Sequence, residues 1–207
     1  MKAALFDLDG VIVDSEGAYT VFWASIGRDY GQAPTFAYDI KGTNLTDILG
    51  RFPSESDREE IRRRIHEYEQ TMKYPLFPGV MEFLGKLRAS GYRIALYTSS
   101  DNTKMSYLER QHPDLLSLFD AVVTGSMVSE SKPHPEGYLT AARLVGCDIR
   151  DCYVFEDSYQ GLEAGRRSGA RVIGVATTNP ADMLKDKADK VIDGFDGFDV
   201  NAMIEVG

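Results

Sequence analysis

Two aspartates, Asp7 and Asp9, directly follow the apolar run Ala3-Ala4-Leu5-Phe6 near the start of the chain. The run is typical of a buried strand, and in open parallel sheets ligands bind beyond the carboxyl ends of the strands. Side chains two residues apart on a strand point the same way. Two carboxylates about 4 Å apart repel each other by ~4 kcal/mol at an effective dielectric of ~20. A shared proton or a bound cation offsets this repulsion, whereas two aspartates at a solvated strand end would only cap the following turn.

Polar residues also follow other apolar runs of the chain. Thr98-Ser99-Ser100 offers hydroxyls and turn amides that suit phosphate oxygens, and Glu156-Asp157 adds two more acids. Pro133 holds the preceding Lys132 in an extended conformation. Hard oxygen ligands without cysteine or paired histidine suit Mg²⁺ rather than zinc. If these segments meet at one sheet edge, they can form a site for a metal ion and a phosphate group.

Short apolar runs, most of them rich in β-branched residues, predict the strands that must position these side chains. The runs are Ala3–Leu8, Arg93–Tyr97, Ala121–Thr124, Cys152–Phe155, Val172–Val175 and Val191–Ile192. The stretches between many of them are typical of helices, and three of these stop at a glycine: Val80–Ser90, Gly137–Val145 and Tyr159–Ser168. Apolar strands that alternate with helices predict an α/β fold, with a parallel sheet covered by helices on both faces.

One region interrupts the alternation of strands and helices. From Ser15 to about Phe77 the pattern predicts helices only, with a capping box at Ser56-Asp57-Arg58-Glu59. We therefore expect an inserted helical cap over residues 15–78 and an α/β core formed by residues 1–14 and 79–207. The hinges of this cap are expected at Val13–Glu16 and Tyr74–Gly79, because the second segment carries two prolines and a glycine.

Composition limits the partners that the chain can have. The 207 residues carry a formal net charge of −9, which argues against nucleic acid or an anionic membrane as partner, since both demand a basic surface. The two cysteines, Cys147 and Cys152, fit no zinc-binding spacing, and we expect free thiols in a reducing compartment. No apolar run approaches the ~20 residues of a membrane helix. We expect a soluble cytoplasmic protein that is a monomer or a weak homodimer.

Four segments resemble the motifs of a known family. The segment Asp7-Leu8-Asp9-Gly10-Val11-Ile12-Val13-Asp14-Ser15-Glu16 comes first, followed by Thr98, then Lys132-Pro133-His134-Pro135, and finally Glu156-Asp157-Ser158. In this order and spacing they resemble the four motifs of the haloacid dehalogenase superfamily, and they are similar to its phosphatase and β-phosphoglucomutase-like branch. The resemblance covers essentially the whole chain and implies a Rossmann-like core with a helical cap.

The resemblance also implies catalytic and metal-binding roles. Asp7 would be the nucleophile that forms an aspartyl-phosphate, and Asp9 would protonate the leaving alkoxide and later take a proton from water. Mg²⁺ would be held by Asp7, the backbone carbonyl of Asp9 and Asp157, with Glu156 as a ligand either directly or through water.

The remaining implied roles concern phosphate binding and substrate selection. Thr98 and Lys132 would bind the phosphoryl oxygens, and backbone amides near Leu8, Asp9 and Ser99 would complete the phosphate site. The polar turn Lys41-Gly42-Thr43-Asn44 in the cap is either an ordinary helix connection or, as in the family, a loop that faces the active site and selects the substrate. A small phosphorylated metabolite, such as a sugar phosphate, is the expected partner.

Two substitutions separate hydrolysis from phosphoryl transfer within a sugar. Similar β-phosphoglucomutases carry a histidine on the first cap helix and an arginine shortly after the Lys-Gly pair, where this chain has Tyr19 and Leu45. Neither can bind a second phosphate, which favours a phosphatase. A mutase stays open as the alternative, and so does a catalytically silent binding protein, although the intact acidic motifs argue against the latter. A dehalogenase is disfavoured because it needs no Glu156-Asp157 metal site.

Two further residues are given structural interpretations. Trp23, the only tryptophan, is expected in the core of the small cap rather than in a substrate wall. His66 lies in a strongly charged segment and is expected to be solvated rather than catalytic.

Overall fold

A computed structural model describes residues 2–204, and its centre is a six-stranded parallel sheet. The strands are β1 (Ala3–Phe6), β2 (Arg93–Tyr97), β3 (Ala121–Val123), β4 (Cys152–Glu156), β5 (Arg171–Val175) and β6 (Lys190–Ile192). Their order in the sheet is β3-β2-β1-β4-β5-β6. The predicted α/β class with a parallel sheet is therefore confirmed, and the strand bounds differ from the prediction by at most two residues.

Ten helices of α type accompany the sheet within the described part of the chain. They are α1 (Glu16–Asp29), α2 (Phe36–Asp39), α3 (Leu45–Leu49), α4 (Glu55–Thr71), α5 (Val80–Ala89), α6 (Asn102–Gln111), α7 (Glu136–Leu144), α8 (Tyr159–Ser168), α9 (Ala181–Leu184) and α10 (Asn201–Ile204). Side chains of α5, α6 and α10 belong to the hydrophobic cluster on one face of the sheet, and those of α7, α8 and α9 to the cluster on the other.

The first strand occupies the middle of the sheet. All four of its residues are fully buried, and it pairs with β2 on one side and β4 on the other. Phe6 stacks on its neighbour Phe155 with ring centroids 4.5 Å apart. The strand order runs in opposite directions on the two sides of β1, so its carboxyl end lies at a topological switch point, where ligands bind in such sheets.

Helix ends follow the local sequence in most places. The Ser158 hydroxyl accepts a hydrogen bond from the N–H of Gly161 at the start of α8, and Gly169 ends that helix in the left-handed conformation, as predicted. The predicted capping box Ser56–Glu59 is wrong in register, because Ser54 caps α4 through the N–H of Asp57. Both serines offer a hydroxyl, and the earlier one adds two residues to the helix.

The segment between β1 and β2 contains α1 to α4 before α5 begins. These helices enclose a hydrophobic cluster of their own, in which Trp23 is buried against Phe22 and Phe36 as expected, although Trp23 also lines the cavity described below. Ile61 and Ile65 contribute the apolar face of α4 to the same cluster. The helical character predicted for this segment is present, and the domain boundaries given above stay predictions.

The two chain segments that enter and leave this helical part lie side by side. Val13 and Leu76 form an isolated antiparallel bridge. The N–H of Asp14 donates to the carbonyl of Pro75 at 2.8 Å, and the N–H of Phe77 donates to the carbonyl of Ile12 at 3.0 Å. Between residues 2 and 204, no helix has both the length and the apolar composition needed to cross a membrane.

Candidate active site

A cavity of about 110 Å³ lies where the carboxyl ends of β1, β2 and β4 face the helices α1 to α4. Of the predicted site residues, the cavity brings together Asp7, Asp9, Ser99, Lys132 and Asp157 from the sheet side, and Lys41, Gly42 and Thr43 from the predicted cap turn. Thr98, Glu156 and Asn44 do not line it, although all three lie next to residues that do. Most of the predicted constellation is therefore assembled around one space.

Asp7, Lys132 and Glu156 form a buried group of charges. The Lys132 ammonium lies 2.6 Å from Oδ1 of Asp7 and 2.5 Å from Oε1 of Glu156. Burial and the neighbouring Glu156 raise the pKa of Asp7 to about 8, against the opposing effect of Lys132. Burial alone would lower the pKa of Lys132, but the two carboxylates raise it, so the lysine stays charged.

Glu156 has protein partners at both of its carboxylate oxygens. Tyr138 donates its hydroxyl to Oε1 at 2.7 Å, on the same side as Lys132. The N–H of Asp157 and the hydroxyl of Ser158 donate to Oε2 at 3.2 Å each. The side chain is fully buried and has no face on the cavity. Its contacts therefore orient Lys132 and the turn after β4.

Asp157 provides the observation that tests a metal site. Both of its carboxylate oxygens are buried and accept no hydrogen bond from the described residues. Burial, followed by the negative charge of Glu156, raises its pKa well above the usual range, and the nearby Thr178 hydroxyl lowers it only in part. Oxygen atoms of Asp7, Glu156 and Asp157 lie within 4.8 Å of one another. An all-oxygen donor set with two orphaned carboxylate oxygens fits Mg²⁺.

The backbone next to this acidic group leaves room for it. Gly10 has a φ of +78°, and a Cβ atom there would lie 2.0 Å from Oδ2 of Asp157. The turn from Leu8 to Val13 is closed by the Leu8 carbonyl, which accepts from the N–H groups of Ile12 and Val13 at 2.8 and 2.9 Å. Only glycine fits both the backbone conformation and the space at position 10.

Asp9 has a different environment from Asp7. Both of its oxygens lie 2.5 Å from the ammonium of Lys104, and the hydroxyls of Ser100 and Ser15 also donate to the carboxylate. Burial by itself would raise the pKa of Asp9, but Lys104 and these donors outweigh it and lower the pKa. The pKa values of the two aspartates of the first motif are thus pushed in opposite directions, so the two carboxyls differ chemically.

Lys104 is a site residue that the sequence analysis missed. It lies in the first turn of α6 and is 2 % exposed. A lysine there is opposed by the helix dipole, which favours acids in the first turn. A lysine in the first turn of a helix is therefore the signal in the sequence that could indicate a buried carboxylate partner.

Thr98 and Ser99, in the turn after β2, have different relations to the cavity. Thr98 is fully buried, and its hydroxyl accepts from the N–H of Ser100 at 3.0 Å. Ser99 faces the cavity and donates its hydroxyl to the carbonyl of Gly42 at 2.8 Å. The turn therefore contacts the predicted cap as well as the space above Asp7.

The predicted cap turn contacts the core side directly. Gly42 has a φ of +79°, and a Cβ atom there would lie 3.1 Å from the hydroxyl of Ser158. Lys41 pairs with Glu16 of α1 at 2.6 Å. Asn44 accepts from the N–H of Asp47 at 2.8 Å and so caps α3, which gives its side chain a structural task that the sequence analysis did not assign.

Glu69, on the inner side of α4, is the second residue that the sequence analysis missed. It is 7 % exposed and accepts the Tyr19 hydroxyl at 2.9 Å. Burial raises its pKa to about 7, against the opposing charge of Lys104. Glu69 continues the apolar repeat of Ile61 and Ile65 at helical spacing, so an acid on the buried face was the available signal.

His66 differs from its expected environment. It is half-buried, and its Nε2 lies 3.3 Å from Oδ2 of Asp101, the residue that caps α6. The expectation of a solvated side chain is wrong because α4 packs against α6 at this point.

A family model described as haloacid dehalogenase-like hydrolase matches residues 4–175. This chain belongs to that family. The match spans β1 to β5 and so includes all four motif segments that suggested the resemblance. The predicted family is therefore confirmed.

Individual relatives agree with this assignment. Glycerol-1-phosphate phosphohydrolase 2 of Saccharomyces cerevisiae is 30% identical over 93% of this chain and 81% of its own length. Hexitol phosphatase A of Escherichia coli is 34% identical over 87% of this chain and 85% of its own. A β-phosphoglucomutase structure from Clostridium difficile superimposes with a TM-score of 0.80, at 22% identity over 100% of this chain and 96% of that one, which supports the fold. The names of the two sequence relatives agree with the predicted phosphatase branch.

Proposed function

We propose that this hydrolase is an Mg²⁺-dependent phosphatase that cleaves a small phosphorylated metabolite through an aspartyl-phosphate on Asp7. The observation that carries the proposal is the meeting of Asp7 with Lys132 and the unpartnered carboxylate of Asp157 at one end of one cavity. The names of the relatives support the reaction class, since they describe phosphatases of glycerol and hexitol phosphates. A polyol or sugar phosphate is the corresponding substrate class.

The first step would make a bond between an Asp7 oxygen and phosphorus while the ester oxygen leaves. Asp7, Asp157 and the backbone carbonyl of Asp9 would hold Mg²⁺, which supplies positive charge that lets an anionic nucleophile approach an anionic phosphate. Lys132 would neutralise a phosphoryl oxygen from the opposite side. Both oxygens of Glu156 are already hydrogen-bonded, so it would act by holding Lys132 rather than as a direct ligand.

Asp9 would transfer protons in both half-reactions. In the geometry described, its contact with Lys104 keeps it ionised, which is the form that accepts a proton from the water attacking the aspartyl-phosphate. In the first half-reaction Asp9 must instead donate a proton to the leaving oxygen.

The mutase alternative is less well supported by the cavity. Tyr19 and Leu45 both line it, at the positions where similar mutases carry the histidine and the arginine. A phenol and a leucine cannot hold a second phosphate, so a bisphosphate intermediate would not be retained for transfer. A catalytically silent binding protein is disfavoured because the acidic and basic motif residues are all present and converge.

A phosphate-release assay tests the proposal. We expect turnover of p-nitrophenyl phosphate and of at least one sugar or polyol phosphate with Mg²⁺, and its loss in EDTA. Asp7→Asn should abolish turnover, because an amide cannot form the aspartyl-phosphate. Asp14→Asn, an exposed neighbour on the same segment, is the matched control and should keep it.

Two results of that assay would reject the proposal. Undiminished turnover in thoroughly chelated enzyme, or in Asp7→Asn, would refute the metal and nucleophile assignments. Conversion of β-glucose 1-phosphate to glucose 6-phosphate with little phosphate released, in the presence of a bisphosphate primer, would show a mutase instead.

A further inference from the structure

Residues of the predicted cap form one part of the cavity together with Lys104. We call this part the leaving-group pocket and define it by Tyr19, Trp23, Lys41, Glu69 and Lys104. The Tyr19 ring lies 4.5 Å from the ammonium of Lys104, and its hydroxyl reaches Glu69. Because Lys104 also contacts Asp9, this pocket adjoins the group that would protonate the leaving oxygen.

The charges that line the whole cavity are unfavourable for a second anion. Six carboxylates and three lysines line it, and no arginine does among residues 2–204. Each lysine is already paired with a carboxylate. The pairs are Lys41 with Glu16 at 2.6 Å, Lys104 with Asp9 at 2.5 Å and Lys132 with Asp7 at 2.6 Å. An acidic group on the leaving side of a substrate would have to break a pair and leave a carboxylate uncompensated.

Glu69 is the pocket group with a free hydrogen-bonding position. One of its oxygens accepts from Tyr19, and the other has no hydrogen-bond partner in the part of the chain that the structure describes. The Glu69 residue is 7 % exposed and lines the cavity. Above its pKa of about 7, the Glu69 carboxylate accepts a hydroxyl hydrogen in this position and repels another carboxylate.

The cavity also has an apolar wall, which suits a carbon skeleton. Trp23, Leu45, Ile48 and Ile65 line the cavity from the helices α1, α3 and α4. A ligand that meets both surfaces needs carbon atoms for the apolar wall and hydroxyls for Glu69. Phosphate esters of small polyols and uncharged sugars have both.

We propose that the leaving-group pocket accepts only an uncharged, hydroxyl-bearing leaving group, and that Glu69 is the residue that determines this specificity. Glu69 accepts a hydrogen bond from a leaving-group hydroxyl and excludes acids and second phosphates from the same position. The inference rests on the proposed phosphatase function and narrows its substrate class to monophosphates of polyols and neutral sugars.

A pair of substrates that differ at one group tests the inference at pH 8, above the pKa of about 7 of Glu69. Glycerol 1-phosphate and 3-phosphoglycerate have the same carbon chain, and the second replaces a hydroxymethyl group by a carboxylate. We expect kcat/KM to favour glycerol 1-phosphate by at least about tenfold. Fructose 6-phosphate should likewise be preferred to fructose 1,6-bisphosphate.

Glu69→Gln isolates the role of the charge. This variant keeps the shape of the side chain and its acceptor for Tyr19, and it should shift the kcat/KM ratio at least about fivefold toward 3-phosphoglycerate. Glu67→Gln is the matched control, because Glu67 lies on the exposed side of the same helix. The control should keep the wild-type ratio.

The outcomes separate the two proposals. Wild-type enzyme that prefers 3-phosphoglycerate or the bisphosphate refutes the inference and leaves the phosphatase assignment intact. An unchanged ratio in Glu69→Gln refutes the role of Glu69. Absence of phosphate release from every ester, p-nitrophenyl phosphate included, refutes the proposed function, and the inference falls with it.

Discussion

Lys132 lies between two buried carboxylates, and each of these three charges depends on the other two. The Lys132 side chain is 1 % exposed, and those of Asp7 and Glu156 are 9 % and 0 % exposed. Removing one partner from a buried ion pair typically costs about 3–5 kcal/mol, because an uncompensated charge remains. The second carboxylate oxygen of Asp7 accepts no hydrogen bond from the described residues, as the proposed role of nucleophile requires.

Asp9 and Lys104 form the second pair, and it carries a prediction. Lys104→Met should lower kcat by at least about tenfold, because general acid–base catalysis typically contributes a factor of 10²–10⁴. With Lys104 gone, burial is opposed only by the hydroxyls of Ser15 and Ser100, so the pKa of Asp9 rises. The acidic limb of the kcat profile should therefore move to higher pH, since a protonated Asp9 cannot accept the proton of the attacking water. Steady-state kinetics across pH measure both effects.

A control distinguishes this effect from a general loss of lysine charge. Lys86→Met removes an exposed lysine of α5 that pairs with Glu82, and it should leave kcat and its pH profile as in the wild type. A Lys104→Met enzyme with the wild-type pH profile would show that Lys104 does not control Asp9.

At the residue scale, the sequence predicts the site residues whose position depends on the ends of strands and not on how helices pack. Asp7, Asp9 and Asp157 follow strands of the parallel sheet. The two-residue period of a strand and the positions of the strand ends are therefore enough to place these residues at one edge of the sheet. Lys104 and Glu69 reach the cavity from helices, and their placement depends on how α6 and α4 pack, which one sequence does not reveal. Thr98 and Asn44 show the converse, since polar side chains that resemble ligand contacts can hydrogen-bond to their own turn or helix.

At the scale of elements, glycines and caps let the sequence locate most helix ends of the core. Gly169 ends α8 where predicted, and α5 begins directly after Pro78 and Gly79. The start of α4 was misplaced by two residues because Ser54 and Ser56 offer the same cap chemistry. Where two signals of equal kind lie within one turn, local sequence does not decide between them.

The turn before α3 carries the prediction at this scale. Gly42→Ala should lower kcat/KM for the best metabolite substrate by at least about tenfold, because a misplacement near 1 Å can cost about a hundredfold. The added methyl group would press on Ser158 at 3.1 Å and on Gln160 at 3.3 Å, and so push the predicted cap away from the site. Kinetics on the metabolite panel measure this.

Gly31→Ala is the matched control for backbone strain. Gly31 also has a positive φ, of +66°, but no atom lies within 4 Å of the added methyl group. Both variants should lose about 1 kcal/mol of stability in urea unfolding, because both force alanine into the left-handed region. If Gly31→Ala loses as much kcat/KM as Gly42→Ala, strain rather than contact with the core explains the effect.

At the scale of the whole molecule, the predicted cap lies closed on the core. Ser99 donates to the carbonyl of Gly42, and Ser131 donates to Asp47. The two linkers pair beside each other through Val13 and Leu76, which favours movement of the helical part as one body. Opening at the hinges Val13–Glu16 and Tyr74–Gly79 stays a prediction. The sequence identifies these segments as linkers, but their pairing is a long-range contact that no local pattern encodes.

The buried acids also determine how the stability of the metal-free protein depends on pH. The pKa of Asp7 is raised to about 8 and that of Glu69 to about 7, in each case by burial first. A carboxyl whose pKa is higher in the folded state binds more protons there than in the unfolded chain between its two pKa values. The free energy of unfolding should therefore fall as pH rises from about 5 to about 8. The proposed Mg²⁺ at Asp7 and Asp157 would oppose this fall by compensating their charge.

Urea unfolding at pH 5 and pH 8 measures this dependence. In EDTA, the wild type should lose at least about 1 kcal/mol between the two values, and Asp7→Asn should lose less because its amide does not titrate. Added Mg²⁺ should stabilise the wild type more at pH 8 than at pH 5, since Asp7 must be ionised to bind it. Asp14→Asn should follow the wild type throughout. A metal-free protein that is equally stable at both values, or an Asp7→Asn variant with the wild-type slope, would mean that Asp7 is not held as a buried acid awaiting a cation.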